Sequence, residues 1–113
     1  MRIAVASSYG LSGRDVERAF DAGVDAFFWG ALRHRDFGAS LRRLAAKARE
    51  RLFLATVSYA SSPLLLRASL DLARRKLGVE ALDLVVLGYA KAPLAPALIG
   101  AAIALRERGV ARA

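Results

Sequence analysis

An alternation constrains this chain more than any other feature. Four short apolar runs take turns with four stretches whose apolar residues recur at helical spacing. The first run is Arg2 to Ala6. A helix follows, with Ser12 at its N-cap and Asp15 three residues on, as in a capping box. Val16, Ala19, Phe20 and Val24 recur along it, and Gly23 stands where a left-handed C-terminal cap is needed. Asp25 to Trp29 is the second run. A helix over roughly Phe37 to Arg49 then puts Leu41, Leu44, Ala45 and Ala48 on one face. Leu52 to Ser58 is the third run. Ser61 or Ser62 caps the third helix, Pro63 suits its first turn, and Gly78 closes it after Lys76 or Leu77. Leu82 to Leu87 is the fourth run. The last helix extends from about Leu94 to Arg108 and ends at Gly109.

These are four βα units in 113 residues, about 28 residues each. A Gly-Val step leads from helix to strand at Gly23-Val24, Gly78-Val79 and Gly109-Val110, and Val110 to Ala113 reads as the start of a fifth strand. Strands that alternate with helices form parallel sheets. The runs are continuously apolar, as parallel strands covered on both faces are. The predicted fold class is α/β, one domain over 1–113. Two architectures share this pattern: half of a (β/α)8 barrel and a doubly wound sheet. The second usually carries a glycine-rich ligand loop after its first strand. Ser7 to Gly13 supplies Gly10 and Gly13, which match only the last spacing of G-x-G-x-x-G, with Ser8 at the first glycine position.

Composition removes several function classes. With no cysteine there is no disulfide framework and no thiolate metal site, and a single histidine argues against zinc. At 56 % apolar residues the chain folds rather than staying disordered. No apolar run reaches the ~18 residues of a membrane span. The longest, Ala92 to Leu105, has two prolines in its first turns and reads as a buried helix. The N-terminus enters a strand-like run without a signal-peptide layout, so a cytoplasmic address is expected. The net charge is +8. Its densest pieces, Arg33-His34-Arg35, Arg42-Arg43 and Arg74-Arg75-Lys76, are dispersed. They read as solvated helix faces, and a nucleic-acid partner is not expected.

Three stretches resemble the aldo-keto reductases. Val16-Glu17-Arg18-Ala19-Phe20-Asp21-Ala22-Gly23-Val24-Asp25-Ala26-Phe27 is similar to the family's first helix and second strand, which typically reads A-G-I-N-x-F. Arg51-Leu52-Phe53-Leu54-Ala55-Thr56 is similar to its third strand, with an A-T-K ending. The run from Ser69 to Leu84 resembles S-L-x-x-S-L-x-x-L-x-x-D-Y-[IL]-D-L and is the most specific of the three. The resemblance implies the first half of a (β/α)8 barrel, four βα units on a parallel sheet. It also implies carbonyl reduction with NADPH, by a tyrosine that donates a proton, a lysine paired with an aspartate, and a histidine that orients the carbonyl. Carried over position by position, those four places hold Phe28 (aspartate), Arg33 (tyrosine), Val57 (lysine) and Gly88 (histidine). A shift by one residue gives Trp29, His34, Ser58 and Tyr89, which restores no tetrad either. The loops that hold the family's cofactor phosphates belong to the second half of the barrel. No catalysis and no cofactor are therefore expected of this chain alone.

In such barrels function gathers at the C-terminal ends of the strands. Those ends hold Ser7, Ser8 and Tyr9; Trp29, Arg33, His34 and Arg35; Ser58 and Tyr59; Tyr89 and Lys91. Tyr9, Trp29, His34, Ser58, Tyr59, Tyr89 and Lys91 are the candidate ligand-binding set, because aromatic walls with a few polar groups are usual in pockets. Aromatics at rims also occur simply because their polar tips reach water. His34 between two arginines reads as a solvated loop residue, and no Asp-His pair is placed to activate Ser7, Ser8 or Ser58. Two function classes stay open: a degenerate or partial oxidoreductase, and a non-enzymatic module binding an anionic ligand or a protein at a basic aromatic rim. In the third strand Phe53, Ala55 and Val57 alternate with Leu52, Leu54 and Thr56, so neither face suits water. Open strand edges and an open inner face lead to the expectation of self-association or of a second half-barrel as partner.

Overall fold

The computed structural model describes residues 3–7, 12–30, 35–88 and 96–113. Its elements are β1 (Ala4–Ala6), α1 (Gly13–Asp21), β2 (Ala26–Gly30), α2 (Arg35–Ala48), β3 (Phe53–Ser58), α3 (Pro63–Leu77), β4 (Leu84–Leu87) and α4 (Pro96–Glu107), with a 3-10 turn at Arg49–Arg51. The four strands pair in parallel in the order β1-β2-β3-β4. That order has no reversal, hence no switch point of a doubly wound sheet. It is four consecutive staves of a barrel.

The helix starts follow from side-chain caps. The Ser12 hydroxyl accepts from the Asp15 amide at 3.4 Å while the Asp15 carboxylate accepts from the Ser12 amide at 2.8 Å. The Ser12 amide first, and then its hydroxyl, which donates to the same carboxylate at 3.1 Å, hold the Asp15 carboxyl below its usual range. Ser62, not Ser61, caps α3 by accepting from the Leu65 amide at 3.2 Å.

Three of the four helix ends, those of α1, α3 and α4, obey one rule. Gly23, Gly78 and Gly109 have φ of 100°, 67° and 78°. After each, the valine amide reaches back to a carbonyl five residues earlier: Val24 to Ala19, Val79 to Arg74, Val110 to Leu105. Each glycine amide bonds three residues back, to Phe20, Arg75 and Arg106. This paired pattern is the Schellman motif, which needs a residue in the left-handed region. Val24 thus lies past α1, and belongs to the turn rather than to the helical face that its spacing suggested.

Register assigns the two sheet faces. One set of rows holds Val5, Phe27 and Leu54, then Trp29, Thr56 and Val85. Phe27, Trp29 and Leu54 join Val16, Phe37, Leu41, Leu66 and Leu70 in the core beneath the helices. The other rows hold Ala4, Ala26 and Phe53, then Ala6, Phe28, Ala55 and Leu84, then Gly30, Val57 and Val86. These point to the side without helices, the interior of the barrel.

At the N-terminal ends of the strands, buried Asp83 ties the sheet together. Its carboxylate accepts from the Leu54 amide at 2.8 Å, from Arg49 at 2.9 Å and from Arg112 at 3.3 Å. Arg49 also donates to the carbonyls of Leu52 and Ala81. The expected fifth-strand start is present: Ala111 bridges Leu82 in parallel, and the Val85 amide bonds the Ala113 carbonyl at 2.9 Å. The outer edge of β4 is therefore partly covered, a correction to the expectation that it is bare.

Candidate active-site rim

Three of the four family-like catalytic positions, Phe28, Val57 and Gly88, lie on the inner face. Phe28 and Val57 stand in adjacent inner rows, and Gly88 continues the parity of Leu84 and Val86. The Gly88 amide donates to the Ser58 carbonyl at 3.0 Å, which draws β4 close to β3 at this end. A Cβ on Gly88 would lie 2.7 Å from Val57 Cγ2 and 2.9 Å from Tyr59 Cε1. Real Cβ atoms do not come so near. The space that a side chain at this position needs is filled by Val57 and by the Tyr59 ring. Neither Phe28 nor Val57 can carry charge, so no ion pair forms between them to tune a phenol.

Trp29 is not a rim residue. Strand parity turns it to the helix side, where it is 2 % exposed. Its indole lies on Gly38 of α2: a Cβ there would come 2.3 Å from Trp29 Cζ2. The sequence signal for this seat is a glycine inside a helical pattern, which marks a close approach. Ser58 is likewise buried and faces the helices. Its hydroxyl accepts from the Ala60 amide at 3.3 Å and lies 2.9 Å from the Ser69 hydroxyl, which donates to the Leu66 carbonyl at 2.9 Å. With Ser69 committed as that donor, Ser58 must donate to Ser69. The chain of donors is closed, and it fixes the β3–α3 connection instead of presenting a nucleophile. Ser7 is also buried and accepts from the Gly30 amide at 2.9 Å.

Tyr59 is the exposed member, at 49 %. It borders a cavity of about 270 Å³ together with Thr56, Val57, Ala60, Leu65 and Leu70. None of the described residues lining that cavity is basic. Arg35 opens α2. Tyr9, Arg33, His34, Tyr89 and Lys91 lie outside the described residues, so the structure brings together Val57, Tyr59 and Gly88 and removes Trp29 and Ser58 to the helix side. A second cavity, about 430 Å³, opens at the opposite end among Phe20, Asp25, Glu50, Arg51, Phe53 and Arg112. Among the described residues no His, Cys, Asp and Glu cluster could hold a metal, and no helix is long and apolar enough to cross a membrane.

No family model and no curated protein matches the chain. Solved structures do. The chain superposes on the holo form of an aldo-keto reductase from Bacillus halodurans with a TM-score of 0.83 at 16 % identity, covering 98 % of this chain and 44 % of that one. For an aldose reductase from Giardia lamblia the values are 0.82, 17 %, 98 % and 47 %. For a protein described as a putative 2,5-diketo-D-gluconic acid reductase B they are 0.79, 22 %, 96 % and 41 %. The fold is half of an aldo-keto reductase barrel. The chain spans less than half the length of each of these three proteins. On that half-barrel, Phe28, Val57 and Gly88, three of the four positions that the family resemblance would make catalytic, sit on the interior face toward the C-terminal end, where barrel chemistry is housed.

Proposed function

We propose that this chain is an aldo-keto reductase-type half-barrel that does not reduce carbonyls by itself. One observation carries the reading: Val57 and Tyr59 fill the space at Gly88, where the family resemblance calls for a histidine. NADPH, which that resemblance implies, would supply a hydride. Phe28, Val57 and Gly88 do not fit the proton-donating partner chemistry. General acid catalysis contributes roughly 10²–10⁴-fold, so its loss is severe.

The test is a steady-state NADPH oxidation assay with a panel of aldehydes and ketones. The expected rate equals that of a heat-killed control. Turnover that disappears in Tyr59→Phe would overturn the proposal.

A further inference from the structure

We propose that the outward face of α3 docks on an anionic membrane surface. Its leucines enter the headgroup layer, and the arginines and lysine around them meet acidic lipids. This goes beyond the reading of the rim as catalytically silent and is independent of it, since it concerns the outside of the barrel wall.

A helix in a barrel wall ordinarily carries one apolar stripe, which faces the core. α3 carries two. Leu66, Leu70, Ala73 and Leu77, three or four residues apart, are buried against the core. At about 100° per residue, Leu64, Leu65, Ala68 and Leu72 fall within roughly 100° of arc on the other side of the helix. All four are exposed, the leucines at 73 %, 54 % and 40 %. A single exposed leucine is ordinary; a row of them on one helix face marks an interaction site. Both α2 and α4 pack against α3. Its neighbours in the wall are thus in place, and the row lies on the outside.

The charge around the row is basic. Arg75 and Lys76 continue it toward the C-terminal end, and Arg67 flanks it; all three are exposed. From α2, exposed Arg42 donates to the carbonyls of Arg75 and Lys76 at 3.0 and 3.2 Å, which adds a cation at that end. Arg35 lies seven residues before Arg42, on the same side of α2. The exposed acids of α2 and α3 are Asp36 and Asp71, and both are engaged. Asp36 accepts from the Gly13 amide at 2.9 Å, and Asp71 accepts from Arg74 at 3.2 Å.

The combination of long aliphatic and basic side chains selects the partner. A nucleic acid is held through its phosphates and gains nothing from a row of leucines. A protein interface is anchored by aromatic or arginine side chains seated in pockets. α3 carries no aromatic residue, and its outward row is a convex helix surface. A bilayer asks for no matching shape. Aliphatic side chains enter its headgroup boundary while the flanking cations snorkel to the lipid phosphates. A chain docked in this way lies on the membrane without crossing it.

The experiment mixes the whole chain with sedimentable vesicles of phosphatidylcholine, with and without phosphatidylserine. The chain is expected to sediment with the acidic vesicles, to stay in solution with the neutral ones, and to be released as salt rises. Each Lys or Arg near an anionic surface is worth roughly fivefold in partition, so Arg75→Ala with Lys76→Ala should weaken binding about 25-fold. Leu65→Ser with Leu72→Ser should abolish it, whereas Val86→Ser, on the inner face, should leave it unchanged. Circular dichroism checks the fold of each variant. The chain has no cysteine, so a polarity-sensitive dye on Leu72→Cys reads the same contact with the rest of the row intact. Its emission should move to the blue on acidic vesicles, and that of a dye on Val86→Cys should not. Equal sedimentation with neutral vesicles, binding that survives Leu65→Ser with Leu72→Ser, an equal loss in Val86→Ser, or an unchanged emission at position 72 would each overturn the proposal. So would capture by an acidic protein or a nucleic acid without any binding to acidic vesicles.

Discussion

Trp29 and Gly38 show how far a single residue's surroundings decide its role. An indole at a strand end could line a pocket or fill a core, and the choice depends on which side of the pleat it occupies. Here the ring rests on the α2 backbone, and only hydrogen leaves room for it. Gly38→Ala drives a methyl to 2.3 Å from Trp29 Cζ2, an atom of a buried ring that cannot step aside. The expected loss is about 2 kcal/mol in urea unfolding, in spite of the better helix propensity of alanine. The Trp29 emission maximum should shift to the red as the ring is pushed out. A neutral or stabilising result would mean that the indole does not pack there.

At the scale of elements, the three Schellman endings are interchangeable parts. Each ends a helix and points the chain at the next strand, and each uses glycine for a φ that costs other residues roughly 1–2 kcal/mol. Gly109 tests this most cleanly. Nothing lies within 4 Å of a Cβ placed on it, so only the backbone conformation opposes a side chain. Gly109→Ala should cost about 1 kcal/mol of stability, and Gly109→Asn less, because asparagine tolerates the left-handed region. Equal losses for the two variants in thermal or urea melts would show that φ is not the reason.

Across the whole molecule, the N-terminal ends of the strands hold the sheet together and the C-terminal ends hold the candidate rim. Asp83 joins β3, β4 and the tail through one carboxylate that is 6 % exposed. Asp83→Ala strands the Leu54 amide and leaves Arg49 without its carboxylate. The expected loss is about 3 kcal/mol, a large part of a small domain's stability. Urea unfolding measures it, and the same variant should free residues 110–113 from β4, seen as faster amide exchange at Arg112. If Arg112 keeps its protection, the tail is held by its backbone pairing alone.

The sequence by itself determined the elements and their ends. Apolar periodicity, the Ser12 and Ser62 caps and the Gly-Val steps act within a few residues, so they can be read without knowing what lies across the chain. The quoted family-like stretches also named the barrel, and the positions Phe28, Val57 and Gly88 that lack its chemistry. Only the tertiary structure decided which faces those elements show. Strand parity put Trp29 and Ser58 under the helices and left Val57, Tyr59 and Gly88 on the interior. Pairing between distant segments brought Ala111 to Leu82, and the Leu54 amide, Arg49 and Arg112 to the Asp83 carboxylate. These are contacts between residues roughly 30 apart in sequence, and no local pattern encodes them. The two faces of β3 are both apolar, so its composition could not say which one meets the helices; the register with β2 and β4 does.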